Sequence, residues 1–322
     1  MTEIEELGLL KMDFLGLRTL TVIRDAEAAI QKKDPSFSIR KLDYDDAATY
    51  KMLGQGETEG VFQLESSGMK QVLVGLQPQN LEDVIALISL YRPGPMDSIP
   101  TYLRNRHEPD KISYKTPQLA HILDVTNGCI VYQEQVMQIF RELAGFSFGQ
   151  ADNVRRAMSK KKHAVMEAER EHFVHGCTEP GHECPGCVAN GISEEVANEI
   201  YDEMSSFASY AFNKSHAACY AYVAFQTAYL KCHYPSEFMA ALLTSVLDNT
   251  DKVIEYSGEC ARLGIKVLPP DVNISNGGFT ADNGKIRFGL NAVKNVGRNL
   301  IERVVEERKE KPYCLLYTSD AA

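Results

Sequence analysis

The segment KMDFLGL, near the start of the chain, carries a lysine and an aspartate two positions apart. Residues 7–17 alternate in character, which predicts a strand with Lys11 and Asp13 on one face and apolar side chains on the other. Two-metal phosphoryl transfer requires two or three carboxylates that bridge ions about 4 Å apart. Asp13 is the only carboxylate on this strand, so such a site would need ligands from elsewhere, and a solvated strand residue is the alternative.

A second candidate is the cluster of basic residues in the predicted helix 151–170. At helical spacing the cluster covers two adjacent stripes and nearly a whole face. Such a face suits a triphosphate or a nucleic-acid backbone. An ordinary solvated face is the alternative, although acidic residues are few before Glu167. The basic side chains are Arg155, Arg156, Lys160, Lys161, Lys162 and His163.

The string FNKSH directly precedes an apolar segment that predicts a helix at 215–233. Free backbone N–H groups at a helix start, with Lys214, Ser215 and His216 beside them, indicate an anion-binding site. Simple capping of the helix by Asn213 or Ser215 explains the same residues equally well.

The loop HGCTEPGHECPGC offers thiols and imidazoles at the spacing of a zinc site. Cys184 and Cys187 would occupy one edge of a tetrahedron, with Cys177 and either His182 or His175 completing four ligands. A redox pair and unliganded thiols are the alternatives.

A separate segment, LNAVKNVGRNLIERVVEER, resembles a helix-hairpin-helix, in which an open backbone at Gly297 would bind a phosphate. An ordinary helical hairpin is the alternative.

The elements that must position these residues are mainly helical. The pattern predicts helices at 19–33, 81–90, 131–143, 151–170, 193–207 and 215–233, and a final charged helix whose last part is 304–311. A β-hairpin is predicted at 279–290 around Asp282-Asn283-Gly284. The expected fold class is therefore α+β and predominantly helical.

Composition limits the classes of protein that fit. A length of 322 residues favours about two domains. The chain has 34 Lys plus Arg and 44 Asp plus Glu, so its net charge is −10. This charge excludes a protein coated uniformly by nucleic acid. No apolar run has the length of a membrane span, and eight scattered cysteines fit a reducing cytosol. Residues 314–322, CLLYTSDAA, are similar to translated sequencing-adapter DNA, so we expect them to be non-native and the chain to be part of a longer protein.

Several motifs in order resemble one family, the α subunits of bacterial DNA polymerase III of the DnaE type, which are replicative C-family polymerases. The resemblance extends from about residue 3 to about residue 313. The matching strings are LLKMDFLGLRTLTVI, GVFQLESSGMK, DVIALISLYRPGP, VYQEQVMQIF, ADNVRRAMSKKK, FASYAFNKSH and YLKCHYPSEFMAALLTS.

The resemblance implies a domain organisation. Residues 1–35 would be the C-terminal part of the palm, with its last strand, and 36–270 the helical fingers, with the loop 175–187 as a zinc-binding insertion. Residues 271–313 would be the β-hairpin and the first helix-hairpin-helix. The remaining palm carboxylates would lie outside this chain, which alone should not polymerise.

The resemblance also implies roles. Asp13 would be a ligand of a Mg²⁺ pair, and a structural Zn²⁺ would occupy the cysteine loop. The dNTP would contact Lys11, Arg155, Arg156, Lys160, Lys161, Lys162, Lys214, Ser215 and His216. Duplex DNA would contact Lys294, Gly297 and Arg298.

The implied partners are primer-template DNA, the sliding clamp, the clamp loader and a proofreading subunit. They would act in a cytoplasmic, nucleoid-associated replisome without a membrane anchor. A stand-alone zinc-bearing DNA-binding module without catalysis is the alternative, and a thiol oxidoreductase using Cys184 and Cys187 is a weaker one.

Overall fold

The computed structural model describes residues 7–314, with gaps at 11, 13, 160–162 and 209–211. The chain forms two compact units. The central unit is Asp43–Ala228, and the terminal unit combines the described parts of Met1–Leu42 and Tyr229–Ala322. Helices dominate both units and one small sheet lies in the terminal unit, which confirms the predicted, predominantly helical α+β class. Among the described helices, none has the length and apolar character needed to cross a lipid bilayer.

The described part of the chain contains fifteen α-helices, six short 3-10 helices and three strands. In order, the α-helices and strands are α1 (Arg18–Gln31), α2 (Ala47–Gly54), α3 (Ser67–Leu76), α4 (Leu81–Leu90), α5 (Ile99–His107), α6 (Ala120–Leu123), α7 (Gln133–Ala144), α8 (Phe148–Ser159), α9 (His163–His175), α10 (Gly186–Ala189), α11 (Glu194–Ala208), α12 (Lys214–His233), α13 (Pro235–Ser245), α14 (Thr250–Arg262), β1 (Val267–Leu268), β2 (Thr280–Asp282), β3 (Lys285–Arg287) and α15 (Arg298–Glu307).

The core of the central unit lies where α7, α8, α9 and α11 pack together. The apolar residues of α7 recur at helical spacing, so one face of the helix is buried. On that face, the ring of Phe140 lies 5.0 Å from Phe173 on α9 and 6.0 Å from Tyr201 on α11. The helix ends at Gly145, whose φ of 73° suits a residue without a side chain.

A buried glutamine holds the start of α7. The Oε1 atom of Gln135 accepts hydrogen bonds from the backbone N–H groups of Val131 and Tyr132 at 2.8 and 2.9 Å. Its Nε2 atom donates to the carbonyl of Ile122 and to the hydroxyl of Thr126 at 3.1 and 2.7 Å. Because both ends of the buried amide are hydrogen-bonded, the chain entering α7 has one defined path.

The predicted helix 151–170 is helical wherever it is described, in α8 and α9, and residues 160–162 between these two helices lie outside the described residues. One straight helix would separate positions 146 and 173 by roughly 40 Å at 1.5 Å per residue. Both Phe146 and Phe173 nevertheless lie beside Phe140, at 5.3 and 5.0 Å between ring centroids. Burial of both aromatic rings in one core therefore requires the chain to change direction between them.

The predicted strand at 7–17 is also absent from the residues described there. A strand needs a neighbour to pair its backbone groups, and the described sheet contains β1, β2 and β3 alone. The apolar side chains of this segment are accordingly uncovered, with Phe14 90% and Leu15 94% exposed. Lys11 and Asp13 lie outside the described residues, so their predicted shared face stays a prediction.

The terminal unit contains the predicted β-hairpin. Strands β2 and β3 pair antiparallel through a turn in which Asn283 and Gly284 have φ of 50° and 74°, as a tight hairpin requires. Strand β1, which no sequence pattern predicted, pairs parallel to β3 and is two residues long. The last helix, α15, begins directly after Gly297, where the resemblance to a helix-hairpin-helix places the start of its second helix, and it ends at Glu307, four residues before the predicted end at Lys311.

A buried ion pair links α12 to α14 within the terminal unit. The Nζ atom of Lys231 lies 2.6 Å from a carboxylate oxygen of Glu259, and the two side chains are 0% and 3% exposed. Arg262 also donates two hydrogen bonds of 2.7 Å to Glu259. Burial by itself would raise the pKa of Glu259, but the hydrogen bonds from Arg262 and Lys231 outweigh it and lower the pKa below its ordinary value of 4.5.

We predict that Glu259→Gln lowers the free energy of unfolding by about 3 kcal/mol, because the substitution deprives a buried ammonium of its carboxylate. Urea unfolding followed by circular dichroism measures the loss. The matched control is Glu255→Gln on the same helix, whose carboxylate is 47% exposed. It should cost less than about 0.5 kcal/mol. Equal losses in the two variants would contradict the prediction.

The same ion pair predicts a dependence of stability on pH. Because the pKa of Glu259 is lower in the folded chain than its ordinary value of 4.5, the contribution of the pair is complete above that pH. It is lost as the pH falls further, through the lowered pKa. The difference in unfolding free energy between the wild type and Glu259→Gln should therefore shrink below this pH, and a constant difference would count against the pair.

Candidate functional site

Three of the predicted motifs meet in the central unit, at a point where two distant segments pair. Tyr132 and Phe212 form a parallel β-bridge, in which the N–H of Gln133 donates to the carbonyl of Phe212 at 3.0 Å. This bridge joins the residue before α7 to the residues before α12. The string VYQEQ therefore lies beside FNKSH, and Arg155 of α8 reaches the same place.

The start of α12 carries both a cap and an internal anion. Asn213 Oδ1 accepts from the N–H of His216 at 2.9 Å, so the capping alternative is present in the structure. In addition, the two carboxylate oxygens of Glu134 accept from the N–H of Lys214 at 3.1 and 3.2 Å. Glu134 also accepts from Asn213 Nδ2 at 3.0 Å. The backbone N–H of Lys214, which could bind a phosphate, thus donates to a carboxylate of the same chain.

Aromatic rings support the cations at this position. The guanidinium of Arg92 lies 4.3 Å from the ring centroid of Phe212, and the ammonium of Lys214 lies 5.3 Å from that of Tyr132. Lys214 Nζ also lies 3.0 Å from a carboxylate oxygen of Glu82. Arg92 was not among the predicted site residues, because its residues YRPGP carried only the family resemblance, and its aromatic partner is distant in the chain.

The imidazole of His216 stacks on an aromatic neighbour. Its ring centroid lies 4.6 Å from that of Tyr220, one helical turn away, and 5.3 Å from that of Phe212. Both Ser215 and His216 are exposed at the start of α12. Their positions fit the predicted contact with a ligand, although that role stays a prediction.

The two arginines of α8 share one carboxylate. Arg155 donates to Asp152 at 2.8 and 3.0 Å and to Gln133 at 3.2 Å, and its side chain is 18% exposed. Arg156 lies 2.8 Å from the other oxygen of Asp152 and is 63% exposed. The hydrogen bond from Arg155 is the main reason that the pKa of Asp152 lies below its ordinary value. The guanidinium of Arg155 is therefore mostly hydrogen-bonded within the protein, whereas the guanidinium of Arg156 is exposed and could contact a ligand.

The remaining predicted cations of this site lie outside the described residues. They are Lys11 and the run Lys160, Lys161 and Lys162, together with the predicted metal ligand Asp13. What the structure does show is a surface of the central unit with exposed Arg92, Arg156 and His216 and half-buried Lys214. Guanidinium and ammonium groups that keep some of their N–H donors exposed are suited to a polyphosphate.

The cysteine loop does not form a metal centre among the described residues, which contain no group of three or more His, Cys, Asp or Glu able to hold an ion. Cys177 and Cys184 are paired through two backbone hydrogen bonds of 2.9 Å, and Cys187 is fully buried in the core. Burial raises the pKa of the Cys187 thiol to about 12. His182 is exposed, and His175 lies 3.8 Å from Glu194. Zinc binding at this loop stays a prediction.

The predicted DNA contacts lie at the start of α15 in the terminal unit. Lys294 is exposed, and Gly297 precedes the helix with open space around the position of a side chain. Arg298 donates to both carboxylate oxygens of Asp248 at 2.9 and 3.0 Å. Lys294 and the N–H groups after Gly297 are thus accessible, while Arg298 already has an acidic partner.

Comparison with known proteins identifies the family. A family model described as the bacterial DNA polymerase III alpha subunit finger domain matches residues 19–181, about half of the chain. The chain belongs to the bacterial DNA polymerase III alpha subunit family. A helix-hairpin-helix model matches residues 264–317, a range that includes the hairpin and α15.

Relatives of this polymerase family match almost the whole chain. It is 46% identical to DNA polymerase III subunit alpha of Bacillus subtilis over 97% of its length, and 50% identical to that of Thermus aquaticus over 96%. The protein from Chlamydia pneumoniae is 46% identical over 96%. The chain spans about a quarter of the length of these relatives, 27%, 25% and 24% respectively. The family resemblance predicted from the motifs is confirmed, and the stand-alone zinc module is not favoured.

The geometry of the thiols predicts their reactivity. In a titration with a thiol reagent near neutral pH, exposed Cys219 should react at once. Cys187 should react only after denaturation, because burial keeps it protonated. Mass spectrometry of the modified peptides separates the two. Release of one equivalent of zinc on denaturation would contradict this prediction and restore the metal site.

Proposed function

We propose that this chain provides the nucleotide-binding part of the fingers of a replicative DNA polymerase. The observation that carries the proposal is the bridge between Tyr132 and Phe212. Lys214 lies over the ring of Tyr132 in this bridge, and Arg155, the neighbour of exposed Arg156, donates to Gln133 beside it. These contacts support a single cationic surface. A template-directed transfer of a nucleotide to a primer 3′-OH needs such a surface for the triphosphate.

The cations have a defined role in this reaction. When the primer oxygen attacks the α-phosphate, negative charge develops on the departing pyrophosphate. Guanidinium and ammonium groups placed beforehand stabilise that charge without reorganisation. Arg156 is suited to this task because a planar guanidinium can bind two phosphate oxygens together. Arg92 and His216, which both lie against the ring of Phe212, would add positive or hydrogen-bonding groups.

Metal ions belong to the proposed reaction but not to the described surface. Two Mg²⁺ ions would stabilise the attacking and the leaving oxygens when bound. In this chain the proposed ligand is Asp13, which lies outside the described residues, and the other carboxylates would come from the rest of the polymerase. The chain's own part, as far as described, is to bind and orient the triphosphate.

The terminal unit is proposed to hold primer-template DNA through its backbone. Lys294 and the N–H groups that follow Gly297 are accessible to a phosphate, and such contacts fix the position of a duplex without distinguishing bases. The complete polymerase would work in the cytoplasm, with the sliding clamp, the clamp loader and the proofreading subunit as partners.

We predict that Arg156→Ala, placed at the matched position of a complete family polymerase, lowers kcat/KM for the nucleotide by at least about tenfold, because a charge-assisted contact to the triphosphate is lost. Steady-state primer extension with varied dNTP measures it. The control is Arg40→Ala, which removes an exposed arginine of the terminal unit and should leave the value unchanged. Wild-type nucleotide dependence in Arg156→Ala would refute the assignment.

A further inference from the structure

We propose that Gln133 and Glu134, the first two residues of α7, are positioning residues that hold the two cationic segments of the site in fixed relation to each other. The choice of ligand in this inference rests on the proposed function. Neither side chain carries a positive charge, so neither is suited to bind a triphosphate itself. Each instead reaches a different segment that is suited to do so, α8 on one side and the start of α12 on the other.

Glu134 fixes the start of α12. Its carboxylate accepts from the backbone N–H of Lys214 and from the side-chain amide of Asn213. It also lies in the first turn of its own helix, α7. A single carboxylate thus faces the positive ends of two helix dipoles, which stabilise a negative charge there. Loss of this group would release Lys214 together with the first turn that carries Ser215 and His216.

Gln133 reaches α8 and the bridge. Its side-chain Oε1 accepts from Arg155 at 3.2 Å, while its backbone N–H donates to Phe212 at 3.0 Å. Arg155 also holds Asp152, and Asp152 pairs with Arg156. The exposed guanidinium proposed to meet the ligand is therefore connected to α7 through two hydrogen-bonded side chains. The dipeptide Gln133-Glu134 is the point at which both segments are anchored.

A second role for Glu134 makes the opposite prediction. If its carboxylate only occupies the phosphate position of an empty site, removing it would add net positive charge and tighten binding of a triphosphate. A positioning role predicts weaker binding instead, because the cations would no longer be held ready. The sign of the change in affinity therefore decides between the two roles.

The experiment measures binding of the magnesium complex of dATP, and of inorganic tripolyphosphate, to the full 322-residue chain by calorimetry. Glu134→Ala should raise Kd for both probes by about tenfold, the equivalent of one lost helix cap. Gln133→Ala should also raise Kd. Glu134→Gln retains an acceptor oxygen, so its Kd should lie between those of the wild type and Glu134→Ala.

The matched control is Glu142→Ala on the same helix. Its carboxylate contacts His121 and Gln138 instead of the site, so its Kd should equal that of the wild type. Unchanged or tighter binding by Glu134→Ala, while the wild type binds, would overturn the positioning role but leave the proposed function intact. Absence of binding by the folded wild type would instead count against the proposed function.

Hydrogen exchange tests the positioning role without any ligand. The amide of Lys214 should exchange about tenfold faster in Glu134→Ala than in the wild type, because its acceptor is gone. Core amides of α7, such as that of Phe140, should exchange at the wild-type rate, which separates local release from general destabilisation. Glu142→Ala should show neither change. Unaltered exchange at Lys214 in Glu134→Ala would overturn the inference.

Discussion

The described site depends on one pairing of backbone segments, the bridge between Tyr132 and Phe212. These residues are eighty positions apart in the chain, yet the N–H of Gln133 and the carbonyl of Phe212 form a 3.0 Å hydrogen bond. Gln135 determines the path of the first segment, and Glu134 determines where the helix after the second segment begins. The bridge thus places the start of α7 beside the start of α12.

Electrostatic balance within that surface explains how an acidic chain can offer a site for anions. The net charge of the chain is −10, but the cations of the site are arranged against only a few carboxylates. Glu82 pairs with Lys214, and Asp152 pairs with both Arg155 and Arg156. These carboxylates keep the cations in place without covering all their donors, since Arg156 is 63% exposed. A ligand would therefore meet cations that are already ordered.

The terminal unit shows the opposite use of charge. Lys231 and Glu259 are almost completely buried, and Arg262 contributes further hydrogen bonds to the same carboxylate. Such a cluster has little access to a ligand and instead specifies how α12 and α14 pack. The surface of this unit that remains accessible, at Lys294 and Gly297, lies at a helix start after the hairpin, in the range matched by the helix-hairpin-helix family.

The sequence by itself determined the helices with strong periodicity, the hairpin turn at Asn283-Gly284, and the family, because these depend on neighbouring residues or on long motifs. Lys214 and Arg156 were found as candidates for the same reason. Gln133, Glu134 and Arg92 were not, because their roles come from partners distant in the chain. The tertiary structure alone decided that Phe146 and Phe173 lie beside the same ring, that residues 7–17, where described, lack a strand partner, and that Arg155 is already hydrogen-bonded to Asp152 and Gln133. In each case the deciding energy is that of packing or pairing between distant segments, which no local pattern contains.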